Sequence, residues 1–401
     1  MACDWMAPSD RARSSLAQAF DPRSNALNAL RLAFATMVAI GHCALIAFGS
    51  RPLHVGSLEI QEVGVDGFFV ISGFLITRSW LSSKDKRRYV IRRCARIFPG
   101  YWMALMVTAL VLTPMIWLGT HSSLAGFPLL GMHGALSFVF TNSLLWFHQQ
   151  QIHGVLAASH LGKATDGALW SLFPEFFAYM GVLALGMRRM LRPDSRVAPA
   201  LLALLMGMMA WNIVDHRSFA QILHSPILAG NTVRVFSMFA AGMTFYLWEQ
   251  RVVMSTRLAA CAMGVVIASA ALPQYELVAA LPFAYVVLWL GVRLPFTSVG
   301  RRYDLSYGVY LYAWPVMQML STLGLVAWGY VPFTAVCLAI SAALAACSWR
   351  FIERPAIRWS SRSLQRLGID RSTHRVNVGP VSALTDLVTT VRPPVVRAAD
   401  D

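Results

Sequence analysis

A soluble chain of this length would carry about a quarter charged residues, whereas this 401-residue sequence is 13% charged and 57% hydrophobic, with a mean hydropathy of +0.54. That excludes a soluble globular domain, and because lipid forbids open sheet edges it leaves an all-α, polytopic transmembrane bundle. The net charge of +15 does not point to nucleic acid, since Lys and Arg fall in short loops between apolar segments and not on one soluble face.

Residues 1–26 contain Asp4, Asp10 and Asp21 and no apolar core followed by a small-residue cleavage site, so they read as a cytoplasmic tail and not as a signal peptide. Apolar runs of about 20 residues then follow one another. Spans are expected near 27–48, 61–81, 97–118, 168–187, 197–214, 226–249, 256–272, 276–294, 305–328 and 331–351, about ten in all. The apolar segment 134–147 is short for a crossing and is assigned to an interfacial or re-entrant piece. With the N-terminus placed inside, 28 of the 34 Lys and Arg residues fall in inner segments. The outer loops hold only Arg51, Lys163 and Arg217, a skew that places both termini in the cytoplasm. The bundle domain is expected to occupy 27–359 and a polar, Arg-rich tail 360–401. The six cysteines form no CxxC pair, so neither a disulfide framework nor a metal site is indicated.

An ionisable group inside a span is a functional candidate by default, because it is costly unless paired or hydrated. The first span supplies Arg31 and His42, whose 11-residue separation puts them on one helix face about 16 Å apart. Arg31 either snorkels or meets phosphate; His42 is either a packing residue or a base. Counting depth from the span ends brings Asp66, Glu175 and Arg234 toward the level of His42. In that arrangement Asp66 holds a ring N–H of His42, Glu175 orients His42 or binds sugar hydroxyls, and Arg234 neutralises a carboxylate or an oxyanion. The alternative is a buried structural ion-pair network. On the inner side, KDKRRYVIRRCAR (84–96) sets Arg93 and Arg96 three apart, a guanidinium pair suited to phosphates, although topology alone also calls for positive charge there.

Several stretches carrying these residues resemble the acyltransferase family 3 of membrane proteins. LNALRLAFATMVAIGHC is similar to its first span, EVGVDGFFVISGFLI to its second, RRCARIFPGYW to its Arg-x-x-Arg loop and ALWSLFPEFFAY to its Trp-Ser-Leu…Glu segment. DLSYGVYLYAWPV and FIERPAIRW resemble its closing spans. The resemblance implies a ten-span enzyme of the bacterial inner membrane that takes an acyl group, commonly acetyl, from a cytoplasmic CoA thioester to a hydroxyl of an envelope or exported carbohydrate. It also implies no bound cofactor or metal, with acyl-CoA as cosubstrate and membrane lipid and carbohydrate as partners. Carried over, Arg31 and His42 match the family's essential pair, Arg93 and Arg96 its basic motif and Glu175 its acidic position, so Arg31, Arg93 and Arg96 are expected to bind acyl-CoA and His42 and Glu175 to be catalytic, with Asp66 joining them from the depth count alone. Arg234, also placed by the depth count, and Trp170, Tyr307 and Tyr310 are expected to serve the acceptor or the oxyanion. Two positions depart from the family pattern: Ala313 stands where it commonly has His, and Pro174 where it commonly has a small apolar residue. The rival function is a transporter or flippase for a glycan or lipid-linked sugar, with the buried charges as its path.

Overall fold

The computed structural model describes residues 14–83, 85–156, 164–215 and 231–369, and among these the regular structure is helical apart from one small hairpin. After a single helical turn, α1 (Leu16–Ala19), comes α2 (Leu27–Phe48), closed by Gly49 in the left-handed region at φ 56. The two-residue strands β1 (His54–Val55) and β2 (Leu58–Glu59) lead into α3 (Ile60–Ser83). Asp85 caps α4 (Lys86–Val107), accepting from the Arg88 backbone N–H at 2.6 Å. A π turn at Thr108–Leu112 joins α4 to α5 (Thr113–His121) without a break, and the short α6 (Ala135–Asn142) follows. A 3₁₀ turn at Gly167–Ser171 opens α7 (Leu172–Met187), and α8 is Val197–Val214. The later helices are α9 (Val233–Leu247), α10 (Thr256–Ser269), α11 (Glu276–Arg293), α12 (Ser306–Thr322) and α13 (Tyr330–Ser348). Through a second π turn, Trp349–Glu353, α13 runs into α14 (Arg354–Arg366).

Every expected span overlaps a helix, but the number long and apolar enough to cross a membrane is seven among the described residues. These are α2, α3, α4 to α5, Gly167–Met187, α8, α11 and α13 to α14, while α9 and α10 are shorter apolar helices. The expected span 226–249 lies partly outside the described residues, and that at 305–328 is interrupted after Thr322 by the short turn Leu325–Trp328. Segment 134–147 contains only the eight-residue α6, about 12 Å of helix. The boundary expected at 359/360 falls within α14, which continues to Arg366; residues 1–13 and 370–401 of the expected tails lie outside the described residues.

At the centre, α3 packs along α2 on one side and α9 on the other, and α12 packs along α2 and α13. The α3–α9 crossing is close because two glycines face each other's backbone. A methyl group on Gly73 would lie 2.0 Å from the Phe239 carbonyl oxygen, and one on Gly242 would lie 2.1 Å from that of Val70. Backbone cannot rotate aside, so Gly73→Ala should separate the helices. The overpacking penalty of about 1–3 kcal/mol or more outweighs the gain of about 1 kcal/mol from replacing a helical glycine. A lower unfolding temperature in detergent is the expected measurement, and an unchanged one refutes the close crossing.

Candidate active site

Helices α2, α3, α4, α7, α12 and α14 enclose a cleft of about 1230 Å³, open mouth included, at the end of the bundle that carries the α4 arginines. Its walls bring together Arg31, Arg92, Arg93, Arg96, Glu175, Tyr307 and Tyr310, so six of the ten candidate residues share one cavity. The arginines are not equivalent. Arg96 donates to Asp304 Oδ2 and lies 3.7 Å from Glu353 Oε2, and Arg31 Nη1 is 3.4 Å from the same Asp304 oxygen. Asp304 is in turn fixed by Ser306, whose hydroxyl donates to Oδ1 at 2.6 Å. Burial would raise the Asp304 carboxyl, but Arg96, then Arg31, and the Ser306 hydrogen bonds outweigh it and bring its pKa down to about 2. Arg93, only 8% exposed, has no carboxylate within ion-pairing distance among the described residues; its guanidinium lies 6.0 Å over the Tyr179 ring. A buried cation left in this state is what an incoming phosphate would satisfy.

Glu175 lies in this cleft, not beside His42. It accepts from the Ser72 hydroxyl at 3.0 Å and the Tyr179 hydroxyl at 2.5 Å. The depth count misplaced it because the chain before α7 is itself inside the bundle: Thr165, Asp166, Ala168 and Leu169 are all buried. Asp166 caps the turn there, accepting from the Ala168 backbone N–H at 3.2 Å, so α7 starts well below the helix ends. Pro174 falls in the first turn of α7, where a missing N–H loses no helical bond. Trp170 packs against the core and is not part of the cleft wall.

At the inner end of the cleft, Tyr310 OH and Ser171 Oγ are 2.6 Å apart, and Tyr310 also donates to the Ala168 carbonyl at 2.9 Å. The next turn of α12 carries Trp314, whose ring meets that of His42 edge to face with centroids 4.8 Å apart. Trp314 is held by a hydrogen bond from Nε1 to the Ala164 carbonyl at 3.0 Å. His42 is therefore one helical turn beyond the cleft wall, its ring packed on Trp314 with no hydrogen bond from the described residues. Ala313, buried beside Trp314, adds no polar group.

Asp66 does not hold His42. In the antiparallel α2–α3 pair, Gly41 faces Ile60 and Gln61 while Gly64 faces Phe34 and Val38. Asp66 thus lies some six residues of α2 from His42, about 9 Å along the axis. Its carboxylate accepts from the Tyr275 hydroxyl and lies 3.6 Å from Arg234 Nη1. Arg234 is also 3.4 Å from Glu62 and 3.8 Å from Glu276, so the three carboxylates surround one guanidinium. This is the ion-pair network weighed above as the alternative, and Arg234 is not in the cleft wall. Sequence reasoning missed Asp304 and Glu353, the charge partners of the cleft arginines, although each lies in a stretch quoted for the resemblance. No group of three or more His, Cys, Asp or Glu residues suited to a metal ion occurs among the described residues.

The profile of acyltransferase family 3, described as an acyltransferase domain, matches residues 24–349. The chain is 29% identical over 372 residues to nodulation protein 10 of Rhizobium leguminosarum bv. viciae, covering 83% of this chain and 93% of that protein. It is 25% identical over 363 residues to an O-acetyl transferase of Shigella phage Sf6, covering 87% and 99%. To the putative membrane-bound transacylase BcsY of Komagataeibacter xylinus it is 26% identical over 347 residues, covering 77% and 80%. No solved structure gives a significant match. With a multi-helix membrane architecture and a profile match across most of its length, the chain belongs to the acyltransferase family 3 of membrane proteins.

Proposed function

We propose that this protein is an inner-membrane O-acyltransferase that transfers an acyl group, commonly acetyl, from acyl-CoA on the cytoplasmic side to a hydroxyl of an envelope or exported carbohydrate. The observation that carries the reading is Arg93, a buried guanidinium with no carboxylate in ion-pairing distance among the described residues, in a cleft where Asp304 and Glu353 brace Arg31 and Arg96. The O-acetyl transferase relative supports the reaction type. In this reading the CoA phosphates meet Arg93, with Arg31 and Arg96 alongside, and the pantetheine arm follows the cleft past Phe68 and Tyr310. The acyl end passes Trp314 to reach His42. The imidazole takes the acceptor hydroxyl proton as that oxygen attacks the thioester carbonyl. The C–S bond breaks, and the CoA sulfur leaves with the proton returned from the ring. An acyl-His intermediate is the covalent variant of the same scheme.

The test uses purified full-length protein with acetyl-CoA. Binding should raise the unfolding temperature, by the equivalent of about 2.7 kcal/mol at a hundredfold excess over Kd, and free CoA should be released only when an acceptor glycan is present. Arg93→Gln should weaken acetyl-CoA binding about tenfold or more, the scale of one lost charge-assisted hydrogen bond. Absence of both stabilisation and acceptor-dependent CoA release refutes the donor assignment. On cells, surface polysaccharide from a deletion strain should lack O-acyl groups that the complemented strain restores.

A further inference from the structure

Helix α14 has two faces with different work. Ile357, Ser360 and Ser361 line the cleft, and Leu364 is fully buried. On the other side, Arg358, Arg362 and Arg366 are exposed, at about 100°, 140° and 180° round the helix from Ile357. They continue a four-residue spacing begun by Arg350 and Arg354, and no Asp or Glu occurs between Glu353 and Asp370. None of the three exposed arginines forms an ion pair among the described residues. Like charges four apart on a helix repel, so the stripe is an uncompensated cationic field.

Anionic headgroups at a membrane surface are one source of such compensating charge. The continuous helix Tyr330–Arg366 has 37 residues, about 55 Å, against about 30 Å of hydrocarbon. Its last turns must therefore lie at or beyond the headgroup level if its apolar part spans the core. Phe351 and Trp359 are 70% and 69% exposed, which is unfavourable in water and suits side chains seated at a membrane interface. We infer that the Arg358–Arg362–Arg366 face of α14 binds the headgroups of anionic phospholipids in the leaflet on which the cleft opens, with Phe351 and Trp359 inserted beside them. A basic, aromatic-flanked helix directly after a spanning segment is the arrangement that attracts such lipids. Because the opposite face of the same helix forms part of the cleft, these lipids also brace that wall.

The full-length protein, reconstituted in phosphatidylcholine mixed with phosphatidylglycerol and then re-extracted, should retain phosphatidylglycerol in excess over its share of the mixture. R358Q/R362Q/R366Q should lose that enrichment. The expected fall is about fivefold per arginine, bounded above at about a hundredfold for three. R358K/R362K/R366K should keep the enrichment, since headgroup attraction needs charge, and so should Arg301→Gln, an exposed cation off the stripe. If the triple glutamine variant does not fold, Arg362→Gln alone should show the single-arginine decrease. Equal retention of the two lipids by the wild-type protein overturns the inference, as does undiminished enrichment in a folded glutamine variant. The stripe faces away from the cleft, so acetyl-CoA binding by the variants in detergent reports on the donor site separately.

Discussion

His42→Ala is expected to lower acyl transfer by about 10²–10⁴-fold, the range a positioned general base contributes, while acetyl-CoA binding stays within a fewfold of wild type. The separation of the two effects follows from position. The cleft and its arginines end one turn short of His42, which packs on Trp314 and is not in the cleft wall with the arginines. Losing the imidazole also leaves a small void against Trp314, so thermal unfolding should be measured beside turnover and the rate expressed per folded molecule. Asp66→Asn is the companion variant. Its partners are Tyr275 and Arg234, so it should act chiefly on stability, and a loss of turnover matching that of His42→Ala would contradict the geometry. Wild-type transfer by His42→Ala would remove both the base and the acyl-His variants of the mechanism.

Helix positions were largely legible because lipid imposes long apolar runs, and each expected run overlaps a helix among the described residues, although only seven are long and apolar enough to cross a membrane. Arg31, Arg93 and Arg96 line one cleft, as their spacing and the expected placement of both segments toward the same side suggested. Depth was not legible. Counting turns from a span end assumes that the helix starts at the membrane surface, yet the buried segment 164–171 starts α7 inside the bundle and carries Glu175 down to Ser72 and Tyr179. For Asp66 the count was off by the register of α2 on α3, which small residues set: Gly41 and Gly64 let the helices approach at levels that no hydropathy pattern records. Asp304 was overlooked for a different reason. It precedes α12 in a connecting segment, where a carboxylate attracts no suspicion, and only the fold tucks it beneath two arginines from α2 and α4.

Asp304→Ala is expected to destabilise the protein by about 3–5 kcal/mol, because it strips a buried charge cluster of its anion and leaves Arg31 and Arg96 facing each other. Acid should reproduce part of this in the wild-type chain. The folded pKa of about 2 lies below the ordinary aspartate value of 3.8, so the stabilisation is fully present above about pH 4 and is lost as pH falls toward about 2. The difference is worth about 2 kcal/mol, and Asp304→Asn should flatten that segment of the pH–stability curve. The same substitution has an opposite effect on the donor. With Asp304 neutral, Arg31 loses its carboxylate and Arg96 keeps only the longer contact to Glu353, so both guanidiniums become available to phosphate. Acetyl-CoA should therefore raise the unfolding temperature of Asp304→Asn by more than it raises that of wild type. An equal or smaller rise would mean that Arg31 and Arg96 serve the fold alone and that Arg93 carries the anion without them.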